Sequence, residues 1–417
     1  MRKRSEVLAI AVMGGPAPGI NGVIGAVTIE AINEGLDVIG IMDGFKWLSR
    51  GDTSFLVPLS IENVSRIHFT GGSILRSSRD NPIDSRDKIE NLMKSFSELR
   101  IKYLVTIGGD GTATLAYKLK KLMGDRIRIA HVPKTIDNDI PLPENMPTFG
   151  FETAKELGTD LVRNIMEDSK TTNRWYFVIT MGREAGHLAL GIAKAAGATL
   201  AVIPEELKGD RVPLHYITDI LEGAIIKRKA LGREDGVAVI AEGIALKIDP
   251  HDLPADQIME RDDFGHLRLS EIPLGKILKD PVLGSLRKRG VDIKILDVEI
   301  GYILRSAPPI AFDIEYTKNL GHGAVEYLLN MEGSGAIISY KGGRLNPIPF
   351  EELIDPETER LRVRFVDTTS ETYRVSQEYM IKLKKEDFES PEDIEELARA
   401  GNMSPEDFIN RFKYLVD

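Results

Sequence analysis

Tyr103-Leu104-Val105-Thr106-Ile107-Gly108-Gly109-Asp110-Gly111-Thr112 reads as a short apolar, β-branched run that stops at a glycine turn, with the helix-like stretch Thr114 to Met123 behind it. Strand, glycine-opened loop and helix in that order set a helix N-terminus, with free N–H groups and the positive end of its dipole, just beyond the carboxyl end of a strand. Similar runs occur at Val7 to Met13, Val38 to Met42 and Ile127 to Val132. A second series follows at Trp175 to Ile179, Leu200 to Ile203, Val237 to Ala241 and Ile293 to Ile300, with helix-like segments such as Thr218 to Leu231 between them. The alternation predicts α/β units built on mostly parallel sheets.

The expected fold is therefore two Rossmann-like α/β domains in succession plus a helical C-terminal extension. Pro141-Leu142-Pro143-Glu144-Asn145-Met146-Pro147 cannot be helical throughout and sets the first boundary. This gives domains 1–147 and 148–310, then 311–417 as a return segment and extension. In the extension, Ser390-Pro391-Glu392-Asp393 and Ser404-Pro405-Glu406-Asp407 each pair a Ser N-cap with Pro at the first helical position and acids in the first turn. No chemistry is expected from this tail.

A chain of 417 residues is long enough for two cores. Its 54 basic and 64 acidic side chains give a net charge of −10, which argues against nucleic acid or an anionic membrane as the main partner. With no cysteine there is no disulfide, thiolate metal site or Cys nucleophile. The basic start Met1 to Arg4 before Val7 to Met13 imitates a signal peptide, but Glu6 interrupts the junction, so the run is expected to be a first strand. No apolar run reaches the roughly 18 residues of a membrane-spanning helix, and a cytoplasmic protein is expected.

Polar loops follow the strands: Gly14-Gly15-Pro16-Ala17-Pro18-Gly19, Gly108 to Thr112, Lys134-Thr135-Ile136-Asp137-Asn138-Asp139, Met181-Gly182-Arg183-Glu184-Ala185-Gly186 and Glu242-Gly243. Open α/β sheets bind ligands beyond the carboxyl ends of their strands, where these loops lie. Glycines at 108, 109 and 111 let main-chain N–H groups approach phosphate oxygens, and Asp110, Asp137 and Asp139 suit a divalent cation or a transferable proton. Asp137 and Asp139 are two apart, so an extended loop turns both toward one cavity and Asn138 away. An Asx-type turn explains such a cluster equally well until Lys134 and Thr135 are counted, because a cation and a hydroxyl beside carboxylates suit a phosphoryl group in transfer.

With a GGDG loop at Gly108 to Gly111, a TIDND loop at Thr135 to Asp139 and an MGR loop at Met181 to Arg183, the sequence resembles the phosphofructokinase family over about its first 310 residues. The resemblance implies a glycolytic 6-phosphofructokinase, with a donor- and Mg²⁺-binding first domain and a fructose 6-phosphate-binding second one. By that likeness Asp137 is the base for the sugar 1-hydroxyl, supported by Thr135, Lys134 and Arg183. Asp110 would hold Mg²⁺ with Asp139 near it. Gly15, Arg79, Gly108, Gly109, Gly111 and Thr112 would line the donor phosphates. Met181, Gly182, Arg183, Glu242, Lys294 and Tyr302 would bind the sugar, and Arg174 and Arg305 its 6-phosphate. The residue matching Arg174 crosses from a neighbouring subunit in the family, which implies a homodimer or homotetramer. Tyr302 replaces a frequent His, and Lys294 replaces an Arg; both keep a donor. His187 is expected only to start a helix.

Two positions point to different donors. Pyrophosphate-dependent relatives usually carry Asp at the position of Gly111, where a carboxylate repels a nucleotide α-phosphate, so Gly111 favours ATP. The same relatives carry Lys at position 134, so Lys134 favours pyrophosphate. Weighting exclusion above attraction gives ATP as the expected donor, with a pyrophosphate-dependent phosphotransferase as the alternative. NAD and lipid kinases share GGDGT but give no account of the loops at 134–139 and 181–183; a sugar-phosphate sensor without catalysis gives no account of Asp110, Asp137 and Arg183.

Overall fold

The computed structural model describes residues 6–253, 269 and 272–417; the basic start Met1 to Arg4 lies outside them. Along the chain the strands are β1 (Val7–Val12), β2 (Asp37–Ile41), β3 (Leu56–Leu59), β4 (Ile101–Gly108), β5 (Arg128–Pro133), β6 (Trp175–Thr180), β7 (Leu200–Val202), β8 (Gly236–Ala241) and β9 (Ile295–Glu299). The short strands β10 (Ala336–Ile337), β11 (Tyr340–Lys341), β12 (Arg344–Leu345) and β13 (Ile348–Pro349) follow. Two compact units result. The first takes the described residues of Met1–Ala154 and of Ile303–Arg364, the second those of Lys155–Glu260, Arg268–Tyr302 and Phe365–Asp417.

The first unit is built on one sheet of order β13-β10-β5-β4-β1-β2-β3. Its centre, from β10 to β2, is parallel, and β3 and β13 close the edges antiparallel. Leu8, Ile10 and Val12 of β1 enter one core with helices Ile20–Asn33 and Ala311–Leu329; Ala9 and Ala11 enter the other, with Leu92 and Phe96 of helix Arg86–Glu98 and Leu115 and Leu119 of helix Asp110–Met123. A strand buried on both faces is apolar at nearly every position, which is why these runs show no alternation. Leu104, Val105 and Ile107 of β4 are each 0% exposed, and burial of such side chains contributes about 1.5–3 kcal/mol apiece. The crossover after β5 makes only a single 3-10 turn, Pro143–Asn145, in which Glu144 and Asn145 have φ of 53° and 56°.

The second unit carries an all-parallel sheet of order β7-β8-β6-β9. Every residue of β6 and β8 is buried. Helices Pro391–Ala400 and Pro405–Phe412 start as their sequences predict: Ser390 accepts from the Asp393 N–H and Ser404 from the Asp407 N–H, each with Pro in the first turn. Charge fastens the extension to helix Leu214–Ala230. Arg411 donates to Asp219 at 2.9 Å and to Glu222 at 2.7 Å, Tyr414 donates to Asp219 at 2.9 Å, and Arg289 also pairs with Glu222, whose side chain has no exposure. No helix among the described residues is long and apolar enough to cross a membrane.

Candidate active site

Three loops leave the carboxyl ends of adjacent strands in the first unit. After β1, Met13 bridges to Ser78, and the Gly14 N–H donates to the Ser78 carbonyl at 2.9 Å, which brings Arg79 beside the Gly14-Gly15 turn. After β4, Thr112 packs so closely that a Cβ at Gly108 would lie 2.1 Å from its Oγ1. Only glycine fits there. Helix Asp110–Met123 starts in this loop with Asp110 in its first turn, where the helix dipole favours an anion or a carboxylate. The Gly109 carbonyl accepts from the Ala113 N–H at 2.9 Å, and the Lys134 N–H donates to Gly108 O at 2.8 Å, so the loops after β4 and β5 are tied together.

Lys134 is the electrostatic centre of the group. Its side chain is buried, with the residue 4% exposed, and Nζ donates to the Gly15 carbonyl. Burial, then the positive charges of Arg305 and Arg79, push its pKa down to about 8, while Asp110 and Asp137 act in the opposite sense. These interactions bring Gly15, Arg79, Asp110, Lys134, Asp137 and Arg305 into one neighbourhood. Arg305 lies so near that a Cβ on Gly15 would be 2.9 Å from its Nη1. Burial, aided by the charges of Asp137 and Asp110, holds the Asp139 carboxyl well above the usual carboxylate range. Its Oδ1 is buried without a hydrogen-bond partner.

That orphaned oxygen is the observation against which Mg²⁺ is tested. Three mutually repelling carboxylates, one with a bare oxygen, fit a small hard cation that takes one or two protein oxygens and completes its shell with water and phosphate.

The loop 134–139 has no regular structure, and its shape is imposed by other segments. Thr135 Oγ1 accepts from the Asp137 N–H at 3.0 Å, and the Thr135 carbonyl accepts from Thr148 Oγ1 at 2.8 Å. Asn138 is in the left-handed region, φ 58°. Its Oδ1 accepts from the Thr148 N–H at 3.1 Å and from Arg364 Nη2, so its side chain turns toward the loop's supports, and the extended conformation expected of the loop is interrupted at this residue. Thr148 and Arg364 are absent from the sequence-derived site. Thr148 sits just past a Pro-rich crossover, and Arg364 looks like any arginine in a charged tail. The tail expected to be without chemistry thus reaches loop 134–139.

In the second unit the loops after β6 and β8 interlock through backbone. The Glu242 N–H donates to Thr180 O at 2.9 Å and the Gly243 N–H to Gly182 O at 3.0 Å. A Cβ at Gly243 would be 2.2 Å from the Arg183 carbonyl, and Gly182 has φ 130°, a conformation other residues avoid. Helix His187–Ala196 opens beside the loop, as expected for His187. Glu205, which the sequence did not single out, accepts from the Gly186 N–H at 2.9 Å and from the Val366 N–H at 2.9 Å. Met181, Gly182, Arg183, Glu242 and Gly243 are thereby gathered. Arg174 stands just before β6, with Nε donating to Thr172 Oγ1 at 2.5 Å and forming an ion pair with Asp168 at 3.8 Å. Lys294 is exposed, its carbonyl accepting from the Trp175 N–H at 2.8 Å, and Tyr302 is 57% exposed.

Residues 7–328 match the family described as Phosphofructokinase. The chain belongs to that family. Among relatives of this phosphofructokinase-family chain, a pyrophosphate–fructose 6-phosphate 1-phosphotransferase of Thermotoga maritima is 57% identical over 99% of both chains. One of the same name from Naegleria fowleri is 46% identical over 99% of this chain and 97% of that one. In fold, the chain is similar to the solved phosphofructokinase of Saccharomyces cerevisiae, with a TM-score of 0.66 and 20% identity. That match covers 99% of this chain and 50% of the yeast one, so the chain spans half the yeast chain's length.

Proposed function

We propose that this chain transfers a phosphoryl group between pyrophosphate and the 1-hydroxyl of fructose 6-phosphate, giving fructose 1,6-bisphosphate and phosphate reversibly. The observation that carries the reading is the likeness over 99% of both chains to a Thermotoga maritima protein that bears this name. The buried Lys134 ammonium gives it a physical basis, since a desolvated cation beside Arg79 and Arg305 needs a dense anion to offset the repulsion among the three.

The sequence alone weighted Gly111 above Lys134 and preferred ATP. The weight now falls on Lys134. A glycine removes an obstacle to the α-phosphate of a nucleotide but supplies no attraction, whereas a buried cation must be neutralised by whatever binds. Gly111 remains the observation that favours ATP as a second reading.

In this mechanism Asp137 takes the proton of the sugar 1-hydroxyl as its oxygen attacks phosphorus, and the bridging P–O bond breaks to release phosphate. Lys134 and Arg79 bind and orient the donor and spread its charge; Thr135 aligns the transferring group. Asp110 and Asp139 would hold Mg²⁺, which neutralises phosphate oxygens when bound. Met181, Arg183, Glu242, Lys294 and Tyr302 would orient the sugar, and Arg174 and Arg305 would bind its 6-phosphate, Arg174 from a neighbouring subunit of a homo-oligomer. The setting is glycolytic and cytoplasmic.

Steady-state kinetics of the purified protein with Mg²⁺ and fructose 6-phosphate test the donor. A kcat/KM for pyrophosphate at least tenfold above that for ATP is the expected result, and fructose 1,6-bisphosphate with phosphate should run the reaction backwards. Equal or greater kcat/KM with ATP overturns the reading.

A further inference from the structure

Arg364 closes the first unit in sequence, and its guanidinium grips residues 138–146. Nε donates to the Asn138 carbonyl at 3.0 Å, Nη1 to the Met146 carbonyl at 2.9 Å, and Nη2 to Asn138 Oδ1; the Arg364 backbone N–H donates to the Asp139 carbonyl at 2.7 Å. Burial pushes its pKa down and the neighbouring Asp139 charge pushes it up. Three nitrogens of a planar fork meet three oxygens, a pattern that a single ammonium cannot span.

The recipient of this grip is the strained point of the loop. Asn138 holds a left-handed conformation at φ 58° and is 8% exposed, a backbone geometry that asparagine tolerates better than other residues with a Cβ but that its neighbours must still hold in place. It persists only where surroundings over-determine it. Here the surroundings are Arg364 on the carbonyl and side chain of Asn138 and Thr148 on its side chain. If Asn138 relaxes, the peptide planes on both sides rotate, and Asp137 and Asp139 turn with them.

We propose that Arg364 is a positioning residue for phosphoryl transfer: it locks Asn138 in the left-handed conformation and so fixes the direction of the base Asp137 and of Asp139. The inference rests on the function proposed above for Asp137. It assigns Arg364 no contact with substrate.

The test uses full-length Arg364→Ala and Arg364→Lys. In Arg364→Ala, kcat should fall about 10²-fold, the scale of a misplacement near 1 Å, while KM for fructose 6-phosphate stays within about threefold and Tm within a few degrees. Arg364→Lys should not restore kcat. Guanidinium chloride at tens of millimolar, at constant ionic strength, should raise kcat of Arg364→Ala saturably and leave the wild type unchanged. Hydrogen exchange of the amides in 134–139 should quicken in Arg364→Ala. A kcat within threefold of wild type, or a loss of kcat with unchanged exchange in that loop and no guanidinium rescue, overturns the proposal. Should the wild type turn over no fructose 6-phosphate, the reading of function fails, and the exchange measurement alone then decides whether Arg364 fixes the loop.

Discussion

Loop 134–139 of the first unit is shaped by the side chains of nearby Thr148 and of Arg364, which arrives from far along the chain, whereas loop 181–186 of the second is shaped by side chains that are missing. Around Asn138, hydrogen-bond donors converge on a loop that no regular element contains. Around Arg183, Gly182 and Gly243 let two backbones touch, and Glu205 reaches in to the Gly186 N–H. Loop 134–139 therefore depends on charge and on hydrogen-bonding groups, and loop 181–186 on volume. Charge acts over several ångströms and titrates; volume acts at contact and does not.

The comparison is broken most severely at the base. Asp137→Ala should lower kcat by about 10³-fold, within the range for a positioned general base, with the circular dichroism spectrum unchanged; full turnover in this variant removes Asp137 from the mechanism. Next comes Gly243→Ala in the sugar loop. A Cβ 2.2 Å from the Arg183 carbonyl forces that backbone to move, so kcat/KM for fructose 6-phosphate should fall about 10²-fold at every pH. An unaltered kcat/KM shows that the two loops are not held by that contact. The smallest effect belongs to pH. Lys134 titrates near 8 because burial disfavours its charge, so the ammonium is complete well below pH 8 and lost above it. The kcat/KM for pyrophosphate, which reports the free enzyme, should fall with a limb near pH 8, approaching tenfold per unit beyond it. A profile flat to pH 9.5 contradicts the role given to Lys134, and the same limb in the Gly243→Ala variant sharpens the contrast between the loops.

What could be read without coordinates was local. Strand runs with β-branched residues, glycine turns that follow them, and the Ser-Pro starts of the last helices each carry their signal within about ten residues, and the structure places them as the sequence predicts. The reaction class was likewise legible, because Gly108 to Thr112, Lys134 to Asp139 and Met181 to Arg183 are contiguous motifs. Choice of donor was not. Gly111 and Lys134 favour different molecules, and adding up two residues does not measure how deeply the lysine is buried or how many cations crowd it.

The supports were also invisible, and for one reason. Arg364 lies 226 positions from the Asn138 it grips, and Glu205 lies 161 from Val366. Strands β10 and β13, two residues each, are too short to show periodicity, yet β10 pairs with β5 and returns residues 303–364 to the first unit. That return sets Arg305, which the family likeness assigns to the sugar phosphate, beside Gly15 and Lys134.

By itself the sequence determined most of the longer strands and helices, the family and the reaction class, because backbone preference and motif chemistry act between near neighbours. Only the tertiary structure decided which distant residues hold those loops, how far Lys134 is stripped of water and which aspartate oxygen is left without a partner. Burial and hydrogen bonding of that kind depend on packing between segments hundreds of residues apart, and no local pattern encodes it.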